Sequence, residues 1–144
     1  MATRGGGVCF PVDAGFCDTQ AARQVTRRFG PAGFCAYVRL LCMMLREDGG
    51  RLSVALDDDW ADVADQLGMG DDEARELVAV LAHYGAVILE DGALWSPLVA
   101  ESIAARDETV EARRRGAYAS AEARRRKKRE REQSAEQSAE QSAE

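Results

Sequence analysis

Two successive stretches of this chain repeat one apolar spacing, and together they restrict the possible folds more than any other feature. Trp60, Val63, Ala64 and Leu67 fall at i, i+3, i+4 and i+7, and so do Ala74, Leu77, Val78 and Leu81. Each set lines one face of an α-helix. Only Gly68-Met69-Gly70 separates them, so the spacing predicts two helices, over 58–67 and 71–84, joined by a tight turn. Just beyond, Asp91-Gly92 stands between Val87-Ile88-Leu89 and Leu94-Trp95. That dipeptide favours the positive φ angles of a two-residue hairpin, so strands are predicted over 86–90 and 93–96.

The flanking sequence completes the pattern. Asp18 is placed to cap a helix that Gly30 ends, with Arg27 and Arg28 complementing its C-terminal dipole. Pro31 suits the first turn of a second helix reaching Arg46. Phe34, Tyr37, Val38, Leu40, Leu41, Met44 and Leu45 cover most of that helix, which places it at the centre of the domain. Cys35 and Cys42 read as small buried hydrophobes within it. After Gly49-Gly50, alternating Leu52, Val54 and Leu56 predict a short strand over 51–56 that joins the hairpin. Asp57, Asp58 and Asp59 read as the acidic start of a helix rather than a metal cluster. Pro97 opens a last, long helix. The expected fold is mainly α with a small β-hairpin and three-stranded sheet: a winged helix-turn-helix with a long C-terminal helix. Trp60, Leu67, Leu77, Leu81 and Tyr37 are expected to be buried together.

Charge divides the chain further. The total of −6 conceals −8 over residues 1–105, +6 over 106–131 and −4 over 132–144. The organisation read from this is a Gly-rich leader (1–8), the winged-helix domain (9–105), a basic helical arm (106–132) and a low-complexity acidic tail (133–144). The tail is three copies of Gln-Ser-Ala-Glu, expected to be disordered or transiently helical. The apolar Cys9–Phe16 segment is expected to form an extended edge or to mediate a dimer.

The same charges bear on function. The helix over 71–84 begins Asp71-Asp72-Glu73, with Glu76 following and only Arg75 in opposition, and Glu90-Asp91 occupies the hairpin tip. Set against a duplex, these carboxylates would meet phosphates, which opposes base readout by this element. The arm has the reverse sign. Arg113, Arg114, Arg115, Arg124, Arg125, Arg126, Lys127, Lys128 and Arg129 are the candidate nucleic-acid-binding residues, suited to phosphate neutralisation without base reading. A solvated charged linker is the competing reading of the same residues. No catalytic or metal-ligating set is expected: the chain has one histidine, His83, and its cysteines Cys9, Cys17, Cys35 and Cys42 lack CxxC spacing. No cofactor, no enzymatic activity and no membrane partner are expected. The absence of an apolar leader and the free thiols point to the cytoplasm.

A family resemblance joins these residues. The series Phe10-x-x-Asp13, Asp18, then Gly30-x-x-Gly33-Phe34-x-x-Tyr37-x-x-Leu40-Leu41 resembles the N-terminal domain of phage and mobile-element replication-organiser proteins. Val63-Ala64-x-x-Leu67-Gly68, Val78-x-x-Leu81-x-x-Tyr84-Gly85-Ala86-Val87 and Leu94-Trp95-Ser96 with Ile103 and Arg106 extend the likeness. That domain is related to the N-terminal winged helix of the primosomal protein DnaD. The resemblance implies a module for DNA replication that self-associates as an oligomer and works with other replication proteins. DNA, single strands included, would be held without sequence preference. A winged-helix transcriptional regulator and an oligomerisation scaffold without nucleic acid are the alternatives.

Overall fold

A helix that must turn sharply needs a residue able to leave helical geometry, and Gly30 provides it. In the computed structural model, which describes residues 12–143, α1 (Gln20–Arg46) is interrupted at Gly30, where φ is 72° and ψ −167°. That conformation is essentially confined to glycine. Pro31, with no N–H to satisfy, opens the second segment. Gly33 lets the two segments close on each other, since a Cβ there would lie 2.3 Å from the Phe29 Cβ. The predicted division of this region therefore holds, but its N-terminal cap is Thr19 and not Asp18. Thr19 has extended backbone and its Oγ1 accepts from the Ala22 N–H at 3.3 Å. Asp18 is taken up in the preceding turn of 3₁₀ helix, Phe16–Asp18.

The second segment of α1 supplies the centre of the core. Leu40, Leu41 and Met44 are fully buried, with Ala36, Tyr37, Met43 and Leu45 beside them. Removing each large aliphatic side chain from water contributes about 1.5–3 kcal/mol. One strip escapes: Cys35, Arg39, Cys42 and Arg46, spaced four, three and four residues apart, face solvent. The expectation that Cys35 and Cys42 are buried is thus corrected. The apolar arc is wide, yet the neighbouring helices cover only part of the circumference.

Helices α2 (Asp57–Leu67) and α3 (Asp71–His83) pack on α1 and on each other, and their repeated apolar faces all enter the core. Trp60, Leu67, Leu77, Leu81 and Tyr37 are buried in one cluster, as their spacing predicts. Both helices end on a left-handed glycine. Met69 N–H bonds to the Ala64 carbonyl around Gly68, and Ala86 N–H to the Leu81 carbonyl around Gly85. At the start of α2, the Asp59 carboxylate accepts from the Leu56 N–H at 3.1 Å, a capping role for the aspartate run.

Strands β1 (Leu52–Ser53), β2 (Ile88–Glu90) and β3 (Ala93–Trp95) form an antiparallel sheet in the order β1-β3-β2. Leu94 is the shared partner of Leu52 and Leu89; Leu94 and Leu52 are buried in the core, whereas Leu89 stays exposed. Asp91 (φ 51°) and Gly92 (φ 70°) make the hairpin turn their sequence predicts. The strands are shorter than expected. At one end Leu56 already serves as the residue before α2, and at the other Gly85-Ala86 is used to close α3.

The chain divides into two compact units, Met1–Ala104 and Ala105–Glu144. α4 (Pro97–Ala143) contributes its first turns to the first unit. There Val99 is fully buried, and Gly50 allows the approach, since a Cβ on it would lie 2.8 Å from Ile103 Cδ1. In the second unit, the described residues are helical throughout, including Gly116 and the repeats up to Ala143. Of the two readings of the tail, disordered or transiently helical, the structure takes the helical form. Ala, Gln and Glu are strong helix formers, and the Ser142 hydroxyl donates to the Ser138 carbonyl within the helix. The expected leader (1–8) and Cys9–Pro11 lie outside the described residues. The described remainder of the Cys9–Phe16 segment is not an extended strand. Asp13 accepts from the Gly15 N–H at 2.7 Å, and Phe16 is buried against Tyr37, ring centroids 5.4 Å apart.

Candidate nucleic-acid interface

Two surfaces carry the charges that matter, and they belong to different units. In the first unit, α3 presents Asp71, Asp72 and Glu73 as exposed carboxylates on its opening turn. The one arginine of that helix is already engaged. Arg75 donates to Asp57 Oδ1 at 2.9 Å, and its guanidinium lies 4.9 Å from the centre of the Trp60 ring. Its fork is therefore turned back onto α2. At the hairpin, Glu90 accepts from the Trp95 indole N–H at 3.2 Å and lies 3.7 Å from Arg51. Glu76 sits 3.9 Å from Arg28. These are exposed pairs worth about 1 kcal/mol or less each. Their consequence is geometric: basic side chains beside α3 and the hairpin are held against carboxylates.

In the second unit, Arg113, Arg114, Arg115, Arg124, Arg125, Arg126, Lys127, Lys128 and Arg129 are all exposed on α4. None of them forms an ion pair among the described residues. At about 100° per residue, the run Arg124–Arg129 circles the helix, as its sequence implies. The nine residues are thus not equivalent. Arg113, Arg124, Lys127 and Lys128 share one side, whereas Arg115, Arg126 and Arg129 share the opposite side with Glu111 and Glu122.

Two basic residues outside the predicted set belong with the first group. Arg106 and Arg131 stand seven residues before Arg113 and seven after Arg124, on the same line. The spacing was the available signal; a reading by dense clusters passes over single arginines.

No family model, curated protein or solved structure matches the chain.

A cavity of about 530 Å³ is bordered by Asp13, Thr19, Tyr37, Tyr84 and Ser96. The Ser96 hydroxyl is buried without a hydrogen-bond partner among the described residues. Burial pushes the Tyr37 phenol above its ordinary 10.0. His83, in the last turn of α3, packs edge-on against Tyr84 at 4.8 Å. Among the described residues no His, Cys, Asp and Glu side chains converge in a way that could hold a metal ion. No described helix is long and apolar enough to cross a membrane.

Proposed function

We propose that the chain is an assembly module of the replication-organiser kind, with a winged-helix body that serves protein association and an arm that holds nucleic acid without sequence preference. The observation that carries this reading is the separation of charge between the two units. The body pairs its one α3 arginine with Asp57 at the surface and shows carboxylates where a DNA-reading helix would show donors. The arm exposes its basic side chains with no partner among the described residues. The element order supports a winged helix: helices, a short strand, two helices joined by a tight turn, and a hairpin. The motif resemblance to replication-organiser N-terminal domains supports the biological setting and self-association.

The test is a salt-titrated fluorescence anisotropy measurement with duplex and single-stranded DNA. Deleting residues 112–132 is expected to abolish binding, while reversing the charge of Asp71, Asp72 and Glu76 leaves it intact or improves it. Binding that survives the deletion, or that depends on Arg75 and on base sequence, refutes the proposal in favour of a transcriptional regulator. Self-association is read by sedimentation at about tens of micromolar, the range of a transient interface; a strict monomer there removes that part of the proposal.

A further inference from the structure

The carboxylates of the second unit are as one-sided as its arginines. Taking Arg113 as the origin and about 100° per residue, Arg106, Arg124 and Arg131 fall within about 20° of it and Lys127 and Lys128 within about 60°. Asp107, Glu108, Glu111, Glu122, Glu130, Glu132, Glu136 and Glu140 all fall about 100° or more away, on the other side. Between the basic residues the face carries Thr109, Val110, Gly116, Ala117 and Ser120, none of them charged. A basic line of about 38 Å therefore runs from Arg106 to Arg131 with no acid on it. The opposite side mixes both signs.

The one aromatic residue of this unit adds a second constraint. Tyr118 is 72% exposed and lies about 140° from Arg113, among the carboxylates. Single strands are commonly held by tracking phosphates along a basic groove while bases stack on adjacent aromatic rings. Here the ring and the basic line face opposite ways, so one strand cannot use both.

We infer that the arm engages the phosphate backbone of duplex nucleic acid through one face only, the line Arg106–Arg113–Arg124–Arg131 with Lys127 and Lys128 beside it. This rests on the reading of the arm as nucleic-acid-binding and narrows it to six of the eleven basic residues between 106 and 131. At a slope of about 0.9 per phosphate, six contacts give a logarithmic salt dependence of about 5, whereas all eleven would give about 10. The charges on the far side stand across a helix about 10–12 Å wide. That is about one Debye length at 0.1 M salt, so they are largely screened from the bound strand.

The experiment uses the full chain, a mixed-sequence duplex of about 20 base pairs, longer than the basic line, and oligothymidine of equal length. Two triple variants remove the same charge: Arg113→Gln/Arg124→Gln/Arg131→Gln on the line, and Arg115→Gln/Arg126→Gln/Arg129→Gln opposite it. Gln matches Arg in helix propensity, so circular dichroism should be unchanged in both. The line variant is expected to lose roughly several hundred-fold in duplex affinity at 0.1 M salt, with its slope reduced by about 3. The opposite variant should stay within about threefold with its slope intact. The duplex should bind more tightly than oligothymidine, and Tyr118→Ala should change neither affinity. Equal losses in the two triples overturn the one-face inference while leaving the arm as the binding element. Tighter binding of oligothymidine that weakens in Tyr118→Ala overturns the duplex assignment. No binding by the parent chain overturns both this inference and the function on which it rests.

Discussion

Replacing Gly30 by alanine tests whether the break in α1 is a requirement of the fold or a tolerated irregularity. At φ 72° and ψ −167° the residue lies outside both the right-handed and left-handed helical regions. A Cβ there meets no neighbour within 4 Å, so the penalty is purely that of backbone conformation. That strain is about 1–3 kcal/mol. The chain cannot escape it by running α1 straight through. Pro31 would then sit inside a helix and clash with the carbonyl four residues earlier, at about 3 kcal/mol or more. Ala22 and Val25, both fully buried, would also swing away from the core. For a unit of this size, about 2 kcal/mol corresponds to a fall in Tm of roughly 8–16 °C. The assay is thermal unfolding followed by fluorescence, since Trp60 is buried and reports on the core. Gly68 is the control. Its φ of 72° and ψ of 33° are ordinary left-handed helix, which asparagine tolerates. Gly68→Asn is thus expected to melt near the parent, and Gly30→Asn to melt as low as Gly30→Ala. A Gly30→Ala protein within about 2 °C of the parent, well under the shift for 1 kcal/mol, would refute the strain argument.

Arg75→Ala removes the contacts to Asp57 and Trp60 and is expected to cost about 1 kcal/mol or less, read from denaturant midpoints, with nucleic-acid affinity unchanged. Asp59→Ala leaves the Leu56 N–H without its carboxylate and should destabilise the body by about 1 kcal/mol in the same assay. Tyr37 gives a pH dependence: its phenol binds its proton more tightly folded than unfolded. That contribution is fully present below pH 10.0 and is lost as pH rises through the higher folded value, so alkaline melts should fall and Tyr37→Phe should flatten the fall.

Much of the body was legible because the signals are local. The i, i+3, i+4, i+7 sets mark the inner faces of α2 and α3 without reference to any other element, and each of their members is buried. Asp91-Gly92 specifies its turn through its own φ angles, and Gly30-Pro31 specifies a break in the same way. The charge division is likewise a property of composition along the chain, and with helical periodicity it already contains the one-sided line on α4. Its far residues, Arg106 and Arg131, were obscured only by the denser clusters between them.

Other features depended on which elements meet. Cys35 and Cys42 belong to an apolar run, but α2, α3 and the sheet leave the Cys35–Arg39–Cys42–Arg46 strip uncovered. Thr19 rather than Asp18 caps α1 because Asp18 is drawn into the turn that seats Phe16 against Tyr37. The state of Arg75 was equally out of reach, since Asp57 and Trp60 come to it from another helix across a turn. Periodicity and turn chemistry act between near neighbours in sequence and survive in any arrangement of the helices. Exposure and the pairing of a given side chain are properties of the assembled unit, and only the tertiary structure decides them.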